Sequence, residues 1–191
     1  MKKLVIFTAA ALIVTAYLVW FILYYPMYII DCVFAYIVII VFFLLEKQFP
    51  LKPWLIVLGL IPSLLELTAL NFGFFGFSIY GFGFDKMFHI TNSFILTTLM
   101  YFWISTVYTQ HKGIKIIIAV LIVMGIGSLG EIMEFVGQVY FHMNNAGAFS
   151  QGDLLPPTLK NDFTIYDTWW DMISNLIGAS LAGMMMAFRK K

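Results

Sequence analysis

Six long apolar runs dominate this sequence, and each could cross the hydrocarbon core of a bilayer. A helix rises 1.5 Å per residue, so about 20 apolar residues span roughly 30 Å. Short clusters of Pro, Gly and charged residues separate the runs and end the helices. The runs cover residues 4–25, 27–45, 54–71, 87–108, 114–137 and 169–188. The sequence therefore predicts an all-α polytopic membrane protein, a bundle of six transmembrane helices that forms a single integral membrane domain over residues 1–191.

The composition agrees with a membrane protein and excludes other classes. Hydrophobic residues make up 62% of the chain, charged residues 11%, and the mean hydropathy is +0.93. These values lie outside the range of ordinary soluble domains. The formal net charge is only +1, without a basic tract that could neutralise phosphates, so nucleic-acid binding is not expected. We expect membrane lipid, or a lipid-linked substrate, as the partner, and the sequence leaves the oligomeric state open.

The basic residues predict which way the helices face. If the N-terminus lies inside, nine of the eleven Lys and Arg residues flank the cytoplasmic side, and only Lys86 and Lys160 lie outside. Because Lys and Arg concentrate in cytoplasmic loops, both termini are predicted to be cytoplasmic in a multi-pass protein of the cell membrane. Of the ten acidic residues, only Glu46 then falls on the cytoplasmic side.

Three helices each carry two ionisable residues on one face near their predicted outer ends. Residues three or four positions apart share a helix face. The pairs are Asp85 with His89, Glu131 with Glu134, and Asp167 with Asp171. Asn92, Gln138 and Asn175 continue these faces. Since the rise per residue puts the three pairs at a similar depth, we expect them to meet in one acidic chamber that opens toward the exterior.

An acidic chamber inside a bilayer requires neutralisation, either by protonation of some carboxylates or by bound cations. Carboxylates with one imidazole suit Mn²⁺, Fe²⁺, Zn²⁺ or Mg²⁺, and helical bundles hold such ions with inward-facing ligands. The predicted ligands of a divalent metal ion are Asp85, His89, Glu131, Glu134, Asp167 and Asp171. Glu134 and His89 are the candidates for a catalytic general base.

Simpler interpretations stand beside the metal site. Asp85 and Asp167 could cap the starts of their helices, and capping suits Asp171 less well because it lies one turn further in. The acids could also form a purely structural ion pair with Lys86. Two acids in other outer half-spans either join the chamber or pair with a neighbour: Asp31 and Glu66.

Two further features bear on the surroundings of these acids. The stretch NFGFFGFSIYGFGFD, residues 71–85, is too interrupted for a spanning helix. Its rings either anchor the chain at headgroup level or fold over the acidic site as a lid. Small residues occur before Glu131 and after Asp171, and such residues let membrane helices approach closely. The fifth and sixth helices are therefore predicted to be neighbours.

Three motifs carry a resemblance to a known family: DKMFH (85–89), GSLGEIMEF (127–135) and YDTWWDMISNLIGA (166–179). With them the chain resembles the YjdF-like inner-membrane proteins, relatives of the wider VanZ-like group, over about residues 85–183. The resemblance implies a small multi-helix membrane unit in which these motifs matter, and it implies no settled activity. In VanZ-like proteins the second motif reads more like Glu-xx-Gln and an Arg often precedes the last Asp. Here Glu134 replaces the Gln and no Arg is present, so the antibiotic-resistance role is not carried over.

Two classes of function follow from these features. The first is a metal-dependent enzyme that acts at the outer face on a lipid or lipid-linked substrate, where the metal activates a water or polarises a phosphoryl or acyl oxygen. The alternative is a proton- or cation-coupled transporter, a lipid-binding protein, or a non-catalytic membrane assembly partner. A transporter should place acids along a path across the membrane. Because the cytoplasmic half holds almost none, the one-sided site is favoured.

Overall fold

The structure is a computed structural model that describes residues 2–49, 51–79, 82–109, 111–141 and 163–189. Six long helices account for most of these residues. They are α1 (Lys2–Tyr24), α2 (Ile29–Gln48), α3 (Pro53–Phe72), α4 (Phe84–Val107), α5 (Lys112–Phe141) and α6 (Phe163–Phe188). Each helix has the length and apolar composition of a membrane span. The predicted class, a helical integral membrane protein with six spans, is therefore confirmed.

Two helices begin three or more residues earlier than the sequence predicted. Helix α4 begins at Phe84 rather than at residue 87, and α6 begins at Phe163 rather than at residue 169. The cause is that hydropathy marks only the apolar part of a helix, whereas both helices start with polar and aromatic residues. The N-cap residue of α4 is Gly83, and no side chain bonds to that cap. Asp171 lies more than two turns inside α6, so it is not a cap residue.

The helices divide into two compact units, Met1–Phe72 and Gly73–Lys191. In the first unit, α1, α2 and α3 all contact one another. The hydroxyl groups of Tyr17 and Thr68 lie 3.0 Å apart and join α1 to α3. Gly59 of α3 lies against the ring of Phe42, because a Cβ atom added there would be 2.2 Å from the ring. The prediction of a single domain over residues 1–191 stays a prediction, as do the roles of Asp31 and Glu66 in this first unit.

In the second unit, α6 packs against both α4 and α5. A Cβ atom added to Gly178 of α6 would lie 2.1 Å from the carbonyl oxygen of Ile90 in α4. At Gly127 of α5 it would lie 2.9 Å from Nδ2 of Asn175 in α6. These contacts confirm that the fifth and sixth helices are neighbours and show that α4 approaches α6 even more closely. Small residues permit such approaches in membrane helices.

A short aromatic hairpin precedes α4. Its strands, β1 (Ser78–Ile79) and β2 (Phe82–Gly83), pair antiparallel with Ser78 opposite Gly83. The sequence predicted only that this segment is too interrupted for a spanning helix, because strands of two residues give no recognisable pattern. The ring of Phe75 packs edge-on against Phe84 and Phe88 of α4, at centroid distances of 5.5 and 5.6 Å. Phe75 belongs to the 3-10 turn Phe74–Gly76 that precedes the hairpin, so this turn packs against the first two turns of α4, which carry the candidate site residues.

Candidate metal centre

Helix α4 supplies the centre of the site through its first three turns. Asp85 and His89 lie four residues apart on one face, and Nε2 of His89 is 3.5 Å from Oδ1 of Asp85. Four residues further on, the buried Ser93 continues the same face. The i, i+4 spacing brings these side chains to one surface of the helix, as the sequence predicted for the first two.

Helix α6 contributes two side chains that approach the two ring nitrogens of His89. Oδ1 of Asp171 lies 3.6 Å from Nε2, and Oδ1 of Asn175 lies 3.3 Å from Nδ1. Asp171 and Asn175 are again four residues apart, so one face of α6 meets both sides of the imidazole. The close approach of α6 to α4 at Gly178 lets these short side chains reach His89.

Helix α5 adds Glu131, whose Oε1 lies 3.6 Å from Nδ1 of His89. The carboxylates of Glu131 and Asp171 are deeply buried, since these residues are only 2% and 1% exposed. The structure thus brings together four of the six predicted ligands, from three helices: Asp85, His89, Glu131 and Asp171. The side chains of the other two, Glu134 and Asp167, lie outside the described residues, although their backbones belong to α5 and α6.

Lys86 lies inside the same cluster. Its Nζ is 2.9 Å from Oδ2 of Asp85 and 2.8 Å from Oδ1 of Asp171. The residue is 5% exposed, so this is a buried ion pair that links α4 to α6. The sequence raised Lys86 as a structural partner of the acids, and the structure shows the contact.

One oxygen atom of Asn175, Oδ1, contacts both Ser93 and His89 and orients the imidazole. The hydroxyl group of Ser93 donates to Oδ1 of Asn175 over 2.6 Å. With its proton on Nδ1, His89 donates to the same oxygen, and the lone pair of Nε2 then faces Asp85 and Asp171. Metal-binding histidines are commonly held in this way, by a bond from the second ring nitrogen to an oxygen acceptor.

The distances around Nε2 suit a metal ion. Zinc and similar ions bind imidazole nitrogen and carboxylate oxygen at about 2.0–2.2 Å, so two ligands of a tetrahedral site lie about 3.4 Å apart. The observed separations from Nε2 to the two aspartate oxygens are 3.5 and 3.6 Å. One ligand atom from each of Asp85, His89 and Asp171 lies within 4.8 Å of the others. These residues therefore fit a divalent ion.

Comparison with known proteins places nearly the whole chain in one family. A protein-family model described as "Predicted membrane protein (DUF2238)" matches residues 4–191. The chain belongs to the DUF2238 family. The match extends over all six helices, in agreement with the membrane architecture of the structure. No curated protein and no solved structure matches the chain.

In this DUF2238 protein, the net charge of the described cluster residues favours a bound cation. Three described carboxylates surround His89, from Asp85, Glu131 and Asp171, and the Lys86 ammonium supplies one positive charge. With a neutral imidazole, these described groups sum to −2. Buried carboxylates that repel one another favour a bound cation. One divalent cation balances this sum.

Access to the cluster is possible at the imidazole of the DUF2238 protein. The side chain of His89 is 19% exposed, whereas those of Asp85 and Asp171 are 6% and 1% exposed. The imidazole is therefore the most accessible of these three side chains. Around this region the side chains of Met87 and Trp170 are exposed as well.

Sequence reasoning missed the role of Ser93. It is four residues from His89, so the spacing rule that selected His89 also selects Ser93. The sequence instead put Asn92 on this face. Oδ1 of Asn92 is buried and has no hydrogen-bond partner among the residues that the structure describes. Asn175 was predicted correctly as the continuation of the Asp171 face.

Proposed function

We propose that Asp85, His89 and Asp171 bind one divalent metal ion, with Glu131 beside the imidazole, and that the protein is a metal-dependent enzyme of the membrane surface. The observation that carries this proposal is the set of atoms around the His89 ring. Its Nε2 faces two carboxylate oxygens from two helices, and Oδ1 of Asn175 lies 3.3 Å from its Nδ1. One nitrogen and several oxygen ligands suit Mn²⁺, Fe²⁺, Zn²⁺ or Mg²⁺.

The chain's own residues have distinct roles in this proposal. Asp85 and Asp171 hold the ion and form the negative wall, and Lys86 balances part of their charge. A bound ion of this kind polarises a phosphoryl or acyl oxygen and lowers the pKa of a water. Glu134 follows Glu131 by three residues on α5 and is proposed as the general base. His89 then acts as a ligand, which replaces its alternative role as a base.

We propose a lipid headgroup or lipid-linked molecule as the substrate. Aromatic residues concentrate at the level of the headgroups. Exposed rings lie near both aspartates that hold the proposed ion. Phe77 and Phe82 lie just before α4, and Trp169 and Trp170 precede Asp171 on α6. The proposed site therefore lies at headgroup depth. The aromatic hairpin either anchors the chain at headgroup level or folds over the site as a lid.

We also propose that this end of α4 faces the exterior, with both termini in the cytoplasm. The positive-inside tendency supports this orientation, because most Lys and Arg residues flank the opposite ends of the helices. The three motifs further support a YjdF-like character within the family, related to the wider VanZ-like group.

A second candidate function rests on Lys86. Because its ammonium group already pairs with Asp85 and Asp171, the cluster could instead serve proton- or cation-coupled transport, or hold a purely structural ion pair. A structural pair binds no metal, and a transporter of monovalent ions binds no stoichiometric divalent ion. Metal content therefore separates a structural ion pair, and a transporter of protons or monovalent ions, from the first function.

Elemental analysis of the purified protein tests the proposal. We expect about one equivalent of divalent metal in the native protein and near-complete loss in Asp171→Asn and in His89→Gln. Glu46→Gln is the matched control, because it removes a carboxylate that pairs with Lys3 far along the sequence from the cluster. Metal that is absent from the native protein, and not taken up on titration with Mn²⁺ or Zn²⁺, would reject the metal centre. Equal metal content in all four proteins would reject the assigned ligands.

A further inference from the structure

The first unit contains a cavity of 410 Å³ at the end where its lysines lie. Its lining comes from all three helices of the unit. Lys2, Lys3 and Phe7 belong to α1, Phe43 and Glu46 to α2, and Pro53 is the first residue of α3. The volume falls within the range of small-molecule sites, about 300–1,000 Å³. None of these residues belongs to the proposed metal centre.

The charge of this end of the unit is strongly positive. Residues 1–72 contain four basic residues, and all of them lie at this end of the helices: Lys2, Lys3, Lys47 and Lys52. Glu46 is the one acidic residue in the lining, and it forms an ion pair with Lys3. The side chains of this pair are 32% and 21% exposed, so the pair is open to exchange with an external anion.

Apolar groups form the inner wall. The rings of Phe7 and Phe43 meet edge to face, with centroids 5.4 Å apart, and Phe7 is buried. Nζ of Lys47 lies 4.6 Å from the centre of the Phe43 ring, which holds a further positive charge beside the cavity. Leu4 also lines the cavity, and its side chain is exposed on the surface of α1. A cationic rim over an aromatic wall suits a ligand that is anionic at one end and apolar at the other.

We propose that this cavity binds the headgroup of an anionic phospholipid, with the phosphate at Lys2 and Lys3 and the first acyl carbons along Leu4 and Phe7. Three membrane-spanning helices end or begin at the cavity, so it lies where lipid headgroups lie. Lysine binds phosphate as a point charge. The phosphate would displace Glu46 from Lys3, and the carboxylate of Glu46 would turn toward solvent.

The test is native mass spectrometry of the full chain in a neutral detergent, with phosphatidylglycerol or phosphatidylcholine as the added lipid. We expect tight retention of phosphatidylglycerol and weak retention of phosphatidylcholine. One lysine near a surface contributes a factor of about five to binding of an anionic lipid. Lys2→Gln should therefore weaken the affinity for phosphatidylglycerol about fivefold. Lys115→Gln, which removes an equal charge from the second unit on the same predicted membrane side, should leave the affinity unchanged.

Glu46→Gln gives a result that a structural ion pair alone does not predict. It removes the internal competitor for Lys3, so the affinity for phosphatidylglycerol should rise severalfold. An unchanged or lower affinity in this variant would overturn the proposal, provided that its thermal unfolding matches that of the native protein. Equal retention of the two lipids, or displacement of phosphatidylglycerol by excess inorganic phosphate, would overturn it as well. Metal content plays no part in these measurements, so they stand apart from the test of the metal centre.

Discussion

The ammonium group of Lys86 lies 2.8 Å from a carboxylate oxygen of Asp171, across the interface of α4 and α6. The same oxygen faces Nε2 of His89 at 3.6 Å. Asp171 therefore lies between a fixed positive charge and the imidazole. Because the side chain of Asp171 is 1% exposed, water does not screen these charges, and each partner of Asp171 strongly affects the others.

Replacement of Lys86 tests whether the ammonium group or a metal ion balances the acids. Removal of one partner from a buried ion pair costs about 3–5 kcal/mol, because it leaves an uncompensated charge. We expect Lys86→Met to lower the free energy of unfolding by that amount in protein stripped of metal by a chelator. Addition of Mn²⁺ or Zn²⁺ should restore much of the loss, since a divalent ion replaces the missing positive charge. Unfolding of detergent-solubilised protein, with and without metal, measures both effects.

Lys115→Met is the matched control for this experiment. Lys115 lies over the ring of Tyr101 at 5.9 Å and takes no part in the cluster. Its replacement should change the free energy of unfolding by less than about 1 kcal/mol, with or without metal. A loss of stability in Lys86→Met that metal leaves untouched would favour the structural ion pair instead.

The hydrogen bond from Ser93 to Asn175 predicts that metal affinity can be lowered by variants that keep every proposed metal ligand. Removal of groups that orient a metal-binding histidine typically lowers metal affinity by about 10–100-fold. The loss of metal affinity in Asn175→Ala should fall in this range. The loss in Ser93→Ala should be smaller, because His89 keeps Oδ1 of Asn175 as its acceptor. Titration of metal-free protein with Zn²⁺ measures the affinities.

Ser105→Ala is the control for these two variants. The hydroxyl group of Ser105 also lies on α4 but bonds to the backbone carbonyl of Tyr101. Its loss should leave zinc affinity as in the native protein. If Asn175→Ala binds zinc with native affinity, Asn175 does not orient His89 toward a metal.

The contact between Gly178 and Ile90 predicts a position that tolerates no side chain. An added Cβ atom would lie 2.1 Å from a backbone oxygen, which cannot move without displacement of α4. Gly178→Ala should therefore lower the free energy of unfolding by at least about 1–3 kcal/mol and separate Asp171 from His89, with loss of metal. At Gly125 of α5 an added Cβ atom would have no neighbour within 4 Å among the described residues outside its own helix backbone, so Gly125→Ala should leave both stability and metal content near native. Similar stability of the two variants would contradict the close approach of α4 and α6.

The proposed orientation predicts which ends of α4 and α6 are accessible from outside. The side chains of Met87 and Phe188 are both exposed, at the predicted outer end of α4 and the predicted inner end of α6. Cys32 is the one cysteine of the sequence, so the labelled variants are made in a Cys32→Ala background. Met87→Cys should then react with a membrane-impermeant maleimide in intact cells. Phe188→Cys should react only after the cells are opened. The reverse pattern would place the acidic cluster on the cytoplasmic side.

The membrane architecture could be predicted from the sequence because the bilayer imposes it. A chain in hydrocarbon must satisfy its backbone hydrogen bonds internally, and a helix does so within one segment. A long apolar run therefore predicts a helix. The starts of α4 and α6 were harder to place. Their first turns contain polar and aromatic residues that lie at the edge of the apolar runs, and hydropathy alone does not assign such residues to a helix.

The candidate site was predictable in part, for a similar reason. Spacing identified Asp85 with His89, and Asp171 with Asn175, because residues four apart share a helix face. Spacing did not reveal that the Lys86 side chain reaches across to α6. Its neighbour in sequence is Asp85, and adjacent residues do not share a face, so only the long, flexible side chain makes the double contact possible.

In the proposed function, His89 and two aspartates from α4 and α6 form the walls of one metal site. X-ray absorption spectroscopy of the zinc-loaded protein tests it most directly. We predict one imidazole nitrogen with carboxylate oxygens at about 2.0–2.2 Å and no sulfur ligand. The imidazole signal should disappear in His89→Gln. Zinc that is bound through sulfur, or without any imidazole, would contradict the account.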